Sequence, residues 1–268
     1  MTLSGPSIDL VQLAMYDWPE VRGATDKLWT QIHNALEYRG ISSPEVLDRK
    51  QDPETGWGSP RLLLSQTCGL PLVQNLRDQV AVLGRFTYQN LPATGDYHSV
   101  IVVRRSDSID DPEALSGHRA AINHENSYSG CLALKRWAGR LAEETDFFAS
   151  VIATGSHRDS VCAVANGFAD TAAIDHVSWF LAKHVEPAAQ RLSVVAKTDD
   201  RPGLPLITQT GHDTQTLKHL RSSLDEAVTM LDPASRSALG ITGFVPAYVH
   251  EYDVIDDDLQ QFGTTALC

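Results

Sequence analysis

Three short segments of this sequence place hydroxyl-bearing and small residues where a strand should give way to a helix. They are residues 65–69 (SQTCG), 126–130 (NSYSG) and 154–160 (TGSHRDS). The N-terminus of a helix leaves backbone N–H groups unpaired and carries partial positive charge, so it can bind an anion. Serine and threonine hydroxyls add donors, and glycine lets a ligand approach closely. These segments therefore indicate binding of a small anion.

Each segment also has an interpretation that needs no ligand. Ser156 followed by Asp159 fits a capping box, and Ser127 or Ser129 fits a plain N-cap. What favours a ligand is position, because each segment follows the end of a predicted strand. Open α/β sheets bind their ligands at the carboxyl ends of strands.

The remaining pattern supplies the elements that position these segments. In the first part of the chain, strands are predicted at 8–15, 62–65 and 80–83, with helices at 19–38 and 70–79. This alternation predicts a mainly parallel sheet. A second alternating unit follows, with strands at 97–104, 120–123, 147–153, 171–174 and 192–196.

The chain is then expected to return to the first unit. Residues 199–205 (DDRPGLP) predict the return linker, and a strand at 206–209 and a long helix from Thr214 follow. Asp232 and Pro233 open a short helix that stops at Gly240. The acidic segment 248–261 predicts a surface helix. We therefore expect two α/β lobes, 1–98 with 204–268 and 99–203.

Composition excludes several classes of function. The net charge of -12 argues against a nucleic-acid partner. No apolar run approaches the roughly 20 residues that span a bilayer, so no membrane insertion is expected. Met1 to Ser7 has no basic or apolar signal-peptide pattern. We expect a periplasmic or extracellular protein if a signal peptide has been removed, and a cytoplasmic one otherwise.

The sequence gives no indication of a cofactor or a metal. Four cysteines, Cys68, Cys131, Cys162 and Cys268, lie far apart without a C-x-x-C pair. They are expected to be free thiols, with a single disulfide as the alternative if the protein is exported. No Gly-rich dinucleotide loop is present.

Residues 155–175 (GSHRDSVCAVANGFADTAAID) resemble the phosphate/phosphite/phosphonate-binding proteins of ABC importers. In that family a G-S-H turn leads into a helix ending A-x-x-N-G-x-A-D, and a strand ends at or near Asp. Residues 123–130 resemble the family's serine anion turn, and 97–103 (YHSVIVV) its first hinge strand. The resemblance extends from Met15 to about Gly243. It implies the type II periplasmic-binding-protein fold: two Rossmann-like lobes, joined by two hinge-crossing strands, that close on a small oxyanion.

The resemblance also implies roles for particular residues. Ser127, Tyr128 and Ser129 would hold the anion through hydroxyls and backbone N–H groups, and His157 would donate to an anion oxygen. Asp175 would accept from a ligand amine or a protonated oxygen. From lobe one, Tyr16 and Thr67 would contact the ligand. His124, Glu125 and His176 are unusual neighbours, and they indicate a ligand with a cationic or hydroxylated portion.

Two classes of function remain open at this point. The first is a monomeric solute-binding protein that serves an ABC permease. The second is a cofactor-free enzyme on the same fold, with His157, Asp175, Glu125 and Cys68 as candidate acid, base or nucleophile. The absence of a recognisable triad or metal cluster in the spacing favours the first.

Overall fold

The chain divides into two compact units in the computed structural model, which describes residues 8–141 and 146–268. The first unit is formed by the described parts of Met1–Asp96 and Pro202–Asp253. The second is formed by those of Tyr97–Arg201 and Val254–Cys268. The N-terminal segment examined for a signal peptide lies outside the described residues.

The described residues contain strands of two to nine residues and α-helices of three to 17 residues. The strands are β1 (Leu10–Val11), β2 (Leu62–Gln66), β3 (Val80–Tyr88), β4 (Asp96–Tyr97), β5 (Ser99–Arg104), β6 (Arg119–Ile122), β7 (Ser150–Ala153), β8 (Thr171–Asp175), β9 (Leu192–Lys197), β10 (Arg201–Pro202), β11 (Leu206–Gln209) and β12 (Ile241–Pro246). The helices are α1 (Arg22–Tyr38), α2 (Pro53–Trp57), α3 (Gly69–Pro71), α4 (Ala133–Gly139), α5 (His157–Ala165), α6 (His176–Val185), α7 (Thr214–Met230), α8 (Pro233–Leu239) and α9 (Asp253–Phe262). Strands β4 and β10 pair with each other as a separate two-stranded sheet.

The first unit is built on a mixed five-stranded sheet of order β1-β2-β11-β3-β12. Strands β1 and β2 are parallel, but β11 lies between β2 and β3 and is antiparallel to both. Strand β12 is antiparallel to β3 at the edge. The prediction of a mainly parallel sheet was therefore wrong here, because strands that follow the return of the chain insert into the sheet.

The helices of the first unit bury the apolar stripes that the sequence shows. Helix α1 packs against α7 and α8, and it buries Leu28, Trp29, Ile32 and Leu36. Asp232 caps α8 by accepting from the Ser235 N–H, and Gly240 ends that helix at a φ of 65°. The predictions of α1, α7 and the two ends of α8 are confirmed.

The second unit contains a five-stranded sheet of order β7-β6-β8-β5-β9. Strand β6 is parallel to β7 and β8, whereas β5 is antiparallel to β8 and β9. The register places Ser99 at the start of β5 opposite Asp175 at the end of β8. One end of the sheet therefore brings together residues that are distant in sequence.

Residues Val254–Cys268 belong to the second unit, which corrects their predicted place in lobe one, whereas α9 is a surface helix with one buried face. Ile255 is fully buried, and the Phe148 N–H donates to the Leu267 carbonyl at 2.8 Å. Leu267 joins a core cluster with Ile101, Leu134 and Phe147. The many acidic residues of α9 made the segment look polar in the sequence, so its few buried positions were not recognised.

Asp170 is an ion-pair centre at the beginning of β8. Its carboxylate accepts from Arg104 Nη2 at 2.7 Å, and from Arg119 Nη2 at 2.8 Å and Nε at 2.9 Å. Hydrogen bonding from Arg119 lowers the pKa of Asp170 well below its usual range. The acidic residue that ends the N-G-x-A-D motif therefore has a structural role.

All four cysteines are free thiols. Cys68 and Cys131 are buried, and Cys268 is exposed. Within residues 8–141 and 146–268, no helix combines the length and apolarity needed to cross a bilayer.

Candidate functional site

The turn after β6 carries the second of the three segments, and Ser127 caps the helix that follows. The backbone of Ser127 is extended, and its Oγ accepts from the Gly130 N–H at 3.2 Å. A π-helical turn, Tyr128–Leu132, then continues into α4. The N-cap interpretation of Ser127 is correct. Because capping uses an oxygen lone pair, the hydroxyl proton can still be donated.

Gly130 is required at this turn by close packing. A Cβ at this position would overlap the side-chain oxygen of Asn123 and lie 3.1 Å from His157 Cε1. Asn123 Oδ1 is buried and has no hydrogen-bond partner among the described residues. Two polar side chains therefore lie directly against the backbone of the turn. Asn123, which directly follows β6, was not among the predicted site residues.

His157 joins the second and third segments. Its Nε2 lies 2.9 Å from Ser129 Oγ and 3.3 Å from Asp175 Oδ2. Burial lowers the pKa of His157, although the Asp175 carboxylate opposes this effect. The ring is therefore neutral near pH 7, and Nε2 can exchange a proton with a hydroxyl or donate to an oxyanion.

Asp175 ends β8 and caps α6. Its Oδ1 accepts from the N–H groups of Val177 and Ser178, both at 3.0 Å. The side chain is almost fully buried. Because Oδ1 caps α6, Oδ2 is the oxygen that lies against His157. Asp175 therefore stabilises the helix with one oxygen and contacts the candidate site with the other.

Ser99 at the start of β5 and His98 just before it were not among the predicted ligands. Ser99 Oγ donates to the Ser129 carbonyl at 2.8 Å, which fixes the turn from the side of the sheet. His98 Nδ1 lies 2.9 Å from Asp200 Oδ1, and its ring meets that of His176 edge to face at 5.0 Å. The sequence YHSVIVV predicted this strand. It did not predict that the Ser99 side chain would contact the turn at Ser129.

Tyr128 does not have the predicted hydroxyl role. Its phenol oxygen donates to Asp258 Oδ2 on α9 at 2.7 Å, and the side chain is buried. Burial, together with the hydrogen bond to Asp258, raises the pKa of Tyr128. Any contact of Tyr128 with a ligand would therefore involve its backbone.

The third segment is organised by capping, as its alternative interpretation predicted. Ser156 Oγ accepts from the Asp159 N–H at 3.0 Å and lies 2.7 Å from an Asp159 carboxylate oxygen. Gly155 has a φ of 96°, which favours glycine. The chain is thereby turned so that His157, the first residue of α5, reaches Ser129.

Tyr16 and Thr67 belong to the first unit. The Tyr16 ring meets Tyr88 edge to face at 5.8 Å. Thr67 is fully buried, and its Oγ1 donates to the Cys68 carbonyl at 3.4 Å. Next to it, Gln66 Nε2 and Ser65 Oγ are buried without a hydrogen-bond partner among the described residues. The ligand roles of Tyr16 and Thr67 stay predictions.

The contact of Ser129, His157 and Asp175 differs from a catalytic relay. In a serine nucleophile triad the acid binds Nδ1 and the nucleophile binds Nε2. Here both oxygens lie against the same atom, Nε2 of His157. The described residues also hold no group of three or more His, Cys, Asp or Glu side chains arranged to bind a metal. The arrangement combines hydrogen-bond donors with one carboxylate acceptor.

The family model for the periplasmic substrate-binding protein of ABC phosphonate transporters matches residues 64–252. No curated protein matches the chain. Among solved structures, PhnD1 from Prochlorococcus marinus in complex with methylphosphonate is 18% identical, with a TM-score of 0.72 and coverage of 96% of this chain and 98% of that one.

Two further structures are similar along nearly the whole chain. The binding-protein component of an ABC phosphonate transporter from Pseudomonas aeruginosa is 15% identical, with a TM-score of 0.75 and coverage of 98% and 88%. A Xanthomonas citri protein bound to ATP is 20% identical, with a TM-score of 0.70 and coverage of 97% and 99%. These structures confirm the type II periplasmic-binding-protein fold, and the family match covers well over half of the sequence. The chain therefore belongs to the ABC phosphonate transporter family of periplasmic substrate-binding proteins.

Proposed function

We propose that this chain binds a small oxyanion of the phosphate, phosphite or phosphonate class and delivers it to an ABC importer. The observation that carries the proposal is the contact of His157 with both Ser129 and Asp175, at the start of the Tyr128–Leu132 helical turn. Hydroxyls, a neutral imidazole and helix N–H groups are the donors that a buried oxyanion needs.

The charge at this site favours a particular protonation state of the ligand. Among the described contacts of Ser127, Ser129 and His157, none is to an arginine or lysine. The Asp175 carboxylate lies beside His157 and would repel a fully ionised ligand. A monoanion with a remaining P–OH, or an oxyanion with an attached amine, would instead donate to Asp175.

A ligand screen tests the proposal. Phosphate, phosphite, methylphosphonate, 2-aminoethylphosphonate and sulfate are added to the purified protein, and unfolding and calorimetric titration are followed. A bound oxyanion at 100 times its Kd should add about 2.7 kcal/mol to the free energy of unfolding. If none of the phosphorus oxyanions binds, the proposal is wrong.

A serine variant locates the binding. Ser129→Ala should weaken the best oxyanion by about 1–2 kcal/mol, because a hydrogen bond to a charged ligand is lost. Ser106→Ala is the matched control: that exposed serine follows β5 at the strand end opposite Ser99. Equal affinities for wild type and Ser129→Ala would place the ligand elsewhere.

The transport role is tested separately. We expect the protein to act in the periplasm with a permease, and to be a monomer in solution. The enzyme alternative has less support, because Ser129 and Asp175 share one nitrogen of His157. Incubation of the protein with methylphosphonate should leave the compound intact by phosphorus NMR, and conversion would favour the enzyme.

A further inference from the structure

One buried carboxylate outside the matched residues 64–252 gathers contacts from three other elements of the second unit. Asp258, on α9, is 4% exposed. Arg201 binds it in a bidentate manner, with Nε at 2.7 Å from Oδ2 and Nη2 at 3.0 Å from Oδ1. Arg136 Nε of α4 lies 3.0 Å from Oδ1. The hydroxyl of Tyr128 is the third group, at 2.7 Å from Oδ2.

These contacts divide into two kinds. A buried carboxylate requires cationic partners, and Arg201 and Arg136 provide the charge. Tyr128 is neutral and adds little to that compensation. Its hydrogen bond instead fixes the direction of a side chain whose backbone begins the helical turn of the anion site.

The turn is thus held at consecutive residues from different sides. Tyr128 is held by Asp258, whereas Ser129 is held by His157 through its side chain and by Ser99 through its carbonyl. Removing the hydrogen bond between Tyr128 and Asp258 would make the direction of the adjacent N–H groups less fixed. Binding by N–H groups depends on such preorganisation, since ordering them on binding costs free energy.

We propose that Asp258 is a positioning residue for the oxyanion site, and that α9 acts through Tyr128 to fix the binding turn. The inference rests on the proposed function. It extends the binding apparatus into a C-terminal helix that lies beyond the matched part of the sequence.

The competing explanation is that Asp258 only stabilises the fold, and Asp170 provides the control for it. Asp170 is likewise a nearly buried carboxylate, 9% exposed, that binds two arginines. It lies just before β8, at the opposite end of that strand from Asp175. At about 3.3 Å per residue, this is roughly 16 Å from the site.

The experiment compares Tyr128→Phe, Asp258→Asn, the double variant and Asp170→Asn. Methylphosphonate and inorganic phosphate are titrated calorimetrically, and unfolding is measured in parallel. Tyr128→Phe and Asp258→Asn should each raise Kd roughly tenfold, and the double variant should be little worse than either. Asp170→Asn should lose stability with Kd unchanged within about twofold.

Hydrogen exchange of the ligand-free protein gives a second readout. Amides of residues 129–132 should exchange faster in Tyr128→Phe and Asp258→Asn than in wild type, and should be unchanged in Asp170→Asn. Unchanged Kd and unchanged exchange in Tyr128→Phe would overturn the inference, even if Asp258→Asn failed to fold. If the wild type binds no oxyanion, the proposed function fails, while the exchange comparison still decides whether Asp258 positions the turn.

Discussion

At the scale of single residues, two glycines should respond in opposite ways to the same substitution. Gly130→Ala forces a Cβ against Asn123 and His157, so it should cost about 1–3 kcal/mol of stability and abolish oxyanion binding. Gly23 is the second residue of α1, and a Cβ added there would meet no atom within 4 Å. Gly23→Ala should therefore add up to about 1 kcal/mol and leave binding unchanged. Chemical denaturation and titration measure both, and a tolerated Gly130→Ala would contradict the packing argument.

His157 should make stability depend on pH. Its pKa is lower in the folded protein than in the unfolded chain, because burial disfavours the charged ring. Between its folded pKa and about 6.5, the unfolded chain binds more protons, so stability falls as the pH falls through that window. Burial lowers the pKa of His212 in the same direction. The difference between wild type and His157→Gln should isolate the His157 share, and identical pH profiles would contradict it.

The residue roles show how far types and spacing could predict the site. Helix-start serines and the turn before α5 indicated Ser127, Ser129 and His157, whereas Asp175 came only from the family resemblance. The structure brings these four residues together in one unit. The direction of a side chain was not accessible in this way. Tyr128 has a hydroxyl at the right place in the sequence, yet a carboxylate 130 residues away binds it.

At the scale of elements, strongly periodic segments were predictable and edges were not. Helices α1 and α7 have long apolar stripes, so their existence followed from spacing. Strand β12 was missed because Gly243 and Pro246 are unfavourable in a strand, but an edge strand tolerates proline. The inner face of α9 was also missed, because it depends on contacts of Asp258 and Ile255 that no local pattern reveals.

The β8 strand depends on the ion pairs at its beginning. Asp170→Asn removes the charge that Arg104 and Arg119 share, so it should destabilise the protein by about 1–3 kcal/mol. Arg119 is half exposed, which keeps the expected loss modest. Urea unfolding of this variant against wild type measures the effect. No loss of stability would show that the pairs at Asp170 are dispensable.

At the scale of the whole molecule, the protein should be a monomer, which light scattering coupled to size exclusion measures. A dimer that persists with a reducing agent would contradict this expectation. A dimer that disappears on reduction would instead implicate Cys268, the exposed thiol. The predicted closure of the two lobes on a ligand stays a prediction.

The order of segments along the chain has a consequence for biosynthesis. The first unit consists of two segments, one ending at Asp96 and the other beginning at Pro202. The second unit is completed only by Val254–Cys268. At typical synthesis rates of ~5–20 residues per second, the first segment waits ~5–20 s for its missing strands. The first unit therefore cannot finish folding before Pro202–Asp253 has been made, and the second cannot finish before Val254–Cys268 has been made. During that interval the strands of the first segment have unpaired edges and exposed apolar faces, which makes them prone to aggregation.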